Sequence, residues 1–262
     1  DAAAAEFDGK QPYALFAPAE RWGWRKIHPK FLCLSRDAVS CLELDRSGVT
    51  KRTFPFGGVI CVERGRILLH AWLKVSGSGE GAATAAMVEF NSVVEDLFHP
   101  IANTIRTAAA GIPPAGEEAL REERRKLDFI VEASYKFANF AKLSLLPGEQ
   151  VLEAVFAPEI RPRGFLGGLR LSIPSHLAVL TDREFILIED EHHRGSGAAY
   201  GGIWRYVPLG KIEEFRLNGD GDGYLTLSAR LAGGSYLDSR FSAASGEELQ
   251  RLVEAYMRNR VR

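Results

Sequence analysis

The residue types best suited to chemistry in this chain are arginines set among glycines. Arg161, Arg163 and Arg170 share one stretch with Gly164, Gly167 and Gly168. A guanidinium offers a planar fork of donors to phosphate, and glycine lets the backbone approach an anion closely. The stretch therefore reads as a phosphate-contacting loop or, more plainly, as a solvated one, since Glu159 is near. Arg25, Lys26, His28 and Lys30 make a second basic stretch beside Trp22 and Trp24. Those rings suit either a membrane interface or packing beneath a sheet.

Other constellations carry less. NGDGDGYLT from Asn218 places oxygen ligands at the first, third and fifth positions of a calcium loop and Gly223 at the sixth. Ala229 stands where the closing carboxylate belongs, so a hairpin is expected instead. Glu189, Asp190, Glu191, His192 and His193 gather acids and imidazoles, but adjacent side chains on an extended chain point apart. A Cys/His pair would need Cys61 and His70 to be neighbours across a hairpin, but both sit in apolar strands and are expected in the core. The nucleophile elbow, the dinucleotide fingerprint and the phosphate-cradling loop are all missing from the sequence. No catalytic residue, metal or cofactor is assigned, and an uncharacterised enzyme is the remotest alternative.

The elements that would position these residues are short strands. The 262 residues form two modules, because LSRDAVSCLELD from Leu34 returns as LTDREFILIEDE from Leu180. Residues 1–11 read as a tail, 12–110 as the first module with its helix, 111–146 as a breaker and linker helix, and 147–262 as the second module. In the first, strands are expected over Tyr13–Ala17, Phe31–Ser35, Val39–Leu44, Thr53–Phe56, Val59–Glu63 and Arg66–Val75, with Arg21–Lys30 a loop and Gly65 a tight turn. Val88, Val94, Leu97 and Ile101 then recur at helical spacing, with Pro100 bending or ending the stretch. After GIPPAG, a single helix is expected from Glu117 to Lys142. Its REERRK run is a solvated face, since Glu122 and Glu123 interleave with the bases. The second module repeats the strands and ends in a helix that Ser245 would cap.

Composition narrows the partners. With 46% apolar and 26% charged residues the chain is globular, and no apolar run approaches the ~20 residues that span a bilayer. A formal net charge of -1 argues against nucleic acid. Cys33, Cys41 and Cys61 lie in strand-like segments without metal or redox spacing, which suits reduced thiols in a cytosol.

Thr181-Asp182-Arg183 opening a strand, followed by Tyr206, Pro208 and Ile212, resembles the bacterial pleckstrin-homology-like families. The resemblance covers Leu146 to Met257 and, through the repeat, Phe16 to Ile105. In the first copy Phe56-Gly57-Gly58 replaces the Pro-Leu-Gly segment. The resemblance implies an α+β fold of two half-open β-barrels, each closed by a C-terminal amphipathic helix. It implies a non-catalytic binding or scaffolding protein that takes a protein or peptide partner, in the cytoplasm. The alternative is peripheral binding of anionic lipid or phosphorylated headgroups through Arg161, Arg163, Arg170, Arg25, Lys26 and Lys30.

Overall fold

The computed structural model describes residues 13–22, 25–78, 83–160, 173–191, 201–219 and 223–260. The fold is mixed α+β with mostly sheet. The chain divides into two compact units, Asp1–Ala109 and Ala110–Arg262.

In the first unit β1 (Tyr13–Ala17) is followed by a small hairpin, β2 (Glu20–Trp22) and β3 (Arg25–Ile27), then by β4 (Lys30–Leu34), β5 (Ala38–Asp45) and β6 (Gly48–Pro55). The longer strands make an antiparallel sheet in the order β1-β4-β5-β6. The stretch expected as a loop is thus partly strand. Its register pairs Trp22 with Arg25, the spacing of a two-residue hairpin with glycine available between them. A meander of β7 (Val59–Ile67), β8 (His70–Ser78) and β9 (Ala83–Asn91) leads into α1 (Glu95–Ala110). Leu32, Val39, Phe54, Leu73, Val75, Val88 and Phe90 are buried along with Phe98, Ile101 and Ile105 of α1, and Phe90 stacks on Phe98 at 3.7 Å.

Three expectations for this unit are corrected. Gly65 lies inside β7 opposite Trp72, and a Cβ there would enter the Trp72 ring. The glycine marks a close approach, and the turn falls at Leu68 and Leu69. Val88 belongs to β9 and not to a helix, since pairing with β8 overrides the weak strand propensity of its alanine-rich sequence. Pro100 does not end the helix; it sits within α1, where Phe98, Ile101, Ala102 and Ile105 bury a continuous face around it. That burial outweighs the roughly 3 kcal/mol an internal proline costs.

The second unit begins with α2 (Glu117–Arg125), α3 (Ile130–Ala133) and α4 (Tyr135–Ser144), where one helix was expected. Ser134 is extended (φ -162°, ψ 106°), and its hydroxyl accepts the Phe137 N–H at 3.4 Å, so the residue starts a new helix. Leu120, Leu127, Ile130, Phe137, Ala138 and Ala141 are buried. The REERRK charges are answered locally: Arg121 meets Glu118, Lys126 meets Glu123, and Arg124 Nε donates to Lys142 O. Then come β10 (Val151–Ala157), β11 (His176–Thr181), β12 (Glu184–Glu189) and β13 (Gly202–Pro208), paired in that order. A second sheet holds β14 (Ile212–Gly219), β15 (Tyr224–Leu231) and β16 (Tyr236–Ser242), and α5 (Gly246–Arg260) follows.

The two units share their register. Ser35 Oγ accepts the Ala38 N–H at 3.1 Å as Thr181 Oγ1 accepts the Glu184 N–H at 2.8 Å. Pro55 stands opposite Ala38 as Pro208 stands opposite Glu184. Phe56-Gly57-Gly58 is therefore the counterpart of Leu209-Gly210-Lys211, and each is a single 3-10 turn. A register shift follows each turn, between Val59 and Cys61 and between Ile212 and Glu214. These turns explain why closed barrels do not form. Proline carries no N–H to continue the ladder, and the turn and bulge re-aim the chain. Among the described residues, no strand pairing joins the two sheets within either unit.

Candidate functional site

Among the described residues, the second unit presents a strand edge with no neighbouring strand, beside a helix. β14 is an edge of its sheet. α5 lies over it because Leu249, Leu252, Ala255 and Tyr256 form one buried stripe at helical spacing. Phe215 on β14 meets Tyr256 edge-to-face at 4.8 Å and Phe185 at 5.0 Å, which fixes the angle of the helix. The Tyr256 hydroxyl donates to Ile212 O at 2.7 Å, and Arg260 Nη1 donates to Glu213 O at 2.7 Å. Two outward carbonyls at the start of the edge are thus satisfied by the helix. Burial raises the Tyr256 hydroxyl above its ordinary pKa, against the lowering influence of Arg260, so it stays a donor.

Where α5 ends, a cleft of about 280 Å³ opens between Asp182, Arg183, Leu209, Gly210, Asn259 and Arg260. Asn259 Nδ2 donates to Asp182 O at 2.9 Å and ties the helix end to the β11–β12 turn. The turn itself is rigid: Asp182 Oδ1 accepts the Gln150 N–H at 2.7 Å, and Arg183 Nε lies 3.2 Å from Asp182 Oδ2. Gly210 faces open space, with nothing within 4 Å of an added Cβ. Farther along β14, Arg216 meets Glu214 at 2.8 Å and Arg230 meets it at 3.5 Å; the Arg216 bond first, against burial, holds the carboxyl low. Such a surface can recognise an extended chain: backbone groups on the edge, a cleft for a side chain, and charges of both signs.

The basic residues singled out from sequence do not converge among the described residues. Arg161, Arg163 and Arg170 lie outside those residues. Arg25 and Lys26 sit on β3, where Lys26 is exposed. Lys30 begins β4, and its ammonium is turned away into other contacts. Lys30 Nζ donates to Met87 O at 2.8 Å and lies 3.7 Å from Glu43, which also draws His28 (3.6 Å) and Arg52 (3.8 Å).

The remaining candidates are placed as follows. Asn218 ends near the edge of β14 and Ala229 is buried in β15, while residues 220–222 lie outside the described set. Asp190 pairs with Lys136 at 2.7 Å, Glu189 pairs with Arg205, and His192 and His193 lie outside the described residues. No group of three His, Cys, Asp or Glu side chains that could hold a metal occurs among the described residues. Cys61 stands opposite Ser76 and His70 opposite Ile67, so the two are not cross-strand neighbours. His70 Nε2 instead lies 3.2 Å from Glu89. Cys33 and Cys41 are buried free thiols, and burial pushes Cys41 up to about 11.

The α5–β14 cleft draws on residues far apart in sequence. Its only sequence trace is the pairing of an amphipathic terminal helix with the Pro208-Leu209-Gly210 turn. Among the described residues, no helix is long and apolar enough to cross a membrane. No protein-family model matches the chain, and no curated protein does.

Proposed function

We propose that the chain is a non-catalytic binding or scaffolding protein built on two pleckstrin-homology-like modules, and that the second takes an extended segment of a protein partner. The segment adds to β14 and sets one side chain into the cleft beside Gly210. The observation that carries this reading is the free β14 edge held against α5, with the Gly210 cleft at its start. The order of a four-stranded sheet, a three-stranded sheet and a helix, present in both units, supports the module assignment. Main-chain pairing would supply affinity, and the cleft would supply selectivity.

Selection of random extended peptides against the chain tests the proposal. Gly210→Trp sets an indole at the cleft from a position where the Cβ meets no neighbouring atom. Selected peptides should bind this variant at least about tenfold more weakly, or about 1.4 kcal/mol. Peptides that bind parent and variant equally would move the site elsewhere. A chain that selects no peptides but sediments with anionic vesicles in a salt-sensitive manner would favour the basic stretches instead.

A further inference from the structure

The β7–β8 turn carries two leucines, the first of them at a positive-φ position where a two-residue hairpin favours glycine. Leu68 adopts φ 54°, a left-handed conformation that disfavours branched side chains. Both side chains are exposed, Leu68 by 63% and Leu69 by 57%. Ser92 fastens the turn to the approach of α1: its N–H donates to Leu69 O at 2.8 Å and its hydroxyl to Leu68 O at 2.9 Å. Asn91 Oδ1 accepts the Val93 N–H at 3.0 Å. Val93, exposed by 79%, directly follows Ser92, and Leu97, exposed by 52%, lies in the first turn of α1. Four aliphatic side chains thus form one knob.

The second unit provides an internal control. Ala243 N–H donates to Gly223 O at 3.0 Å and Ser242 Oγ accepts the Ala244 N–H at 3.3 Å, which repeats the clamp. The sequence there is polar and small: NGDGDG joins the strands, and Ala244 and Ser245 replace Val93 and Val94. Neither turn nor clamp needs exposed aliphatic groups, so a strained turn bearing them points to a ligand.

We propose that this knob enters the hydrocarbon boundary of a lipid bilayer. It lacks the Trp, Tyr and Arg anchors that dominate protein interfaces, where Leu and Val are under-represented. Its exposed area, on the order of 400 Å², falls short of the ~800 Å² each side of a stable protein pair. A hairpin tip is convex, so a second copy could not wrap it, whereas acyl chains flow around it. Charges at its base are of both signs: Arg64 and Arg66 share Glu95 at 3.1 and 3.2 Å, His70 meets Glu89, and the exposed Asp96 lies 3.8 Å from His99. Attachment therefore does not depend on headgroup charge, which separates it from any contact made by the basic stretches. The inference is independent of the peptide site in the second unit.

Flotation of the full chain with neutral phosphatidylcholine vesicles, at low and high salt, tests the proposal. The parent should float with these vesicles at both salt concentrations. Leu68→Gly combined with Leu69→Asn puts glycine at the positive-φ position, so it should fold at least as stably as the parent while partitioning about a hundredfold less. Val93→Ser with Leu97→Gln leaves the turn untouched and should also lose most of the binding. Three outcomes overturn the proposal: a parent that ignores neutral vesicles, binding that survives both double variants, or binding confined to anionic vesicles and abolished by salt. A parent that is dimeric without lipid, and monomeric once the leucines are replaced, assigns the knob to a second copy instead.

Discussion

Ser35 and Thr181 close the same turn in the two units, yet their surroundings differ. Beneath Thr181 lies Glu149, only 2% exposed, which accepts the Thr181 hydroxyl at 2.9 Å and the Leu146 N–H at 2.7 Å. Ser35 has the exposed Asp37 carboxylate at 3.2 Å in the corresponding place. The first unit sets its buried carboxylates elsewhere, Glu89 on β9 and Glu95 at the start of α1, where Glu95 gathers Arg64, Arg66 and His99. The equivalent position in the second unit is Gly246. One backbone plan thus tolerates buried carboxylates at different points in its two copies. What a given hydrogen bond contributes is set by how much water the surrounding groups exclude.

The largest expected effect follows from Glu149→Ala. It leaves a buried amide and hydroxyl without this acceptor and should lower stability by about 3 kcal/mol in urea denaturation. A loss no greater than that of Ser35→Ala would erase the distinction between the turns. Next comes Glu95→Gln. Burial pushes the Glu95 carboxyl up, but His99, Arg64 and Arg66 together outweigh it and hold the group at about 2, against an ordinary 4.5. A folded-state pKa below the unfolded one stabilises fully above about pH 4.5 and is lost as the pH falls toward 2. The variant should cost about 2 kcal/mol at neutral pH, and its melting temperature should fall less steeply than the parent's through that acid window. Parallel acid melting curves would remove Glu95 from the account.

A smaller contrast tests two glycines. Gly65→Ala forces the Trp72 ring to move and should cost about 1.5 kcal/mol in thermal melting. Gly210→Ala meets open space and should change stability by less than about 0.5 kcal/mol. Equal costs would mean that the Trp72 ring does not press on β7. Between these two glycines falls Ser35→Ala, about 0.5–1 kcal/mol in the same melts, because the freed Ala38 amide sits beside an exposed turn.

Much of the second unit is legible in its sequence. Glu184–Glu189 and Tyr224–Leu231 are apolar runs bounded by turn residues, and the strands occupy those spans. β9 is not legible, because ATAAMVEFN has the composition of a helix and becomes strand only through β8. The break at Ser134 is equally silent, since the apolar spacing runs on through it and only the bond to Phe137 N–H reveals it. Residue type identified Lys30 as a donor, but not that Met87 O and Glu43 occupy it. The cleft beside Gly210 stayed hidden because Asp182, Gly210 and Asn259 meet only through folding.

The meander order of the strands also bears on how fast each unit can form. Within each unit, every pairing between named strands except β1 with β4 joins strands consecutive in the chain. Most of these closures are those of hairpin loops, while the connections into β4, β11 and β13 are longer. The hairpin pairings should form first, ahead of the strands that wait for the longer connections. During synthesis most strands would meet their partner soon after emerging, which shortens the time that their edges stand exposed to other chains.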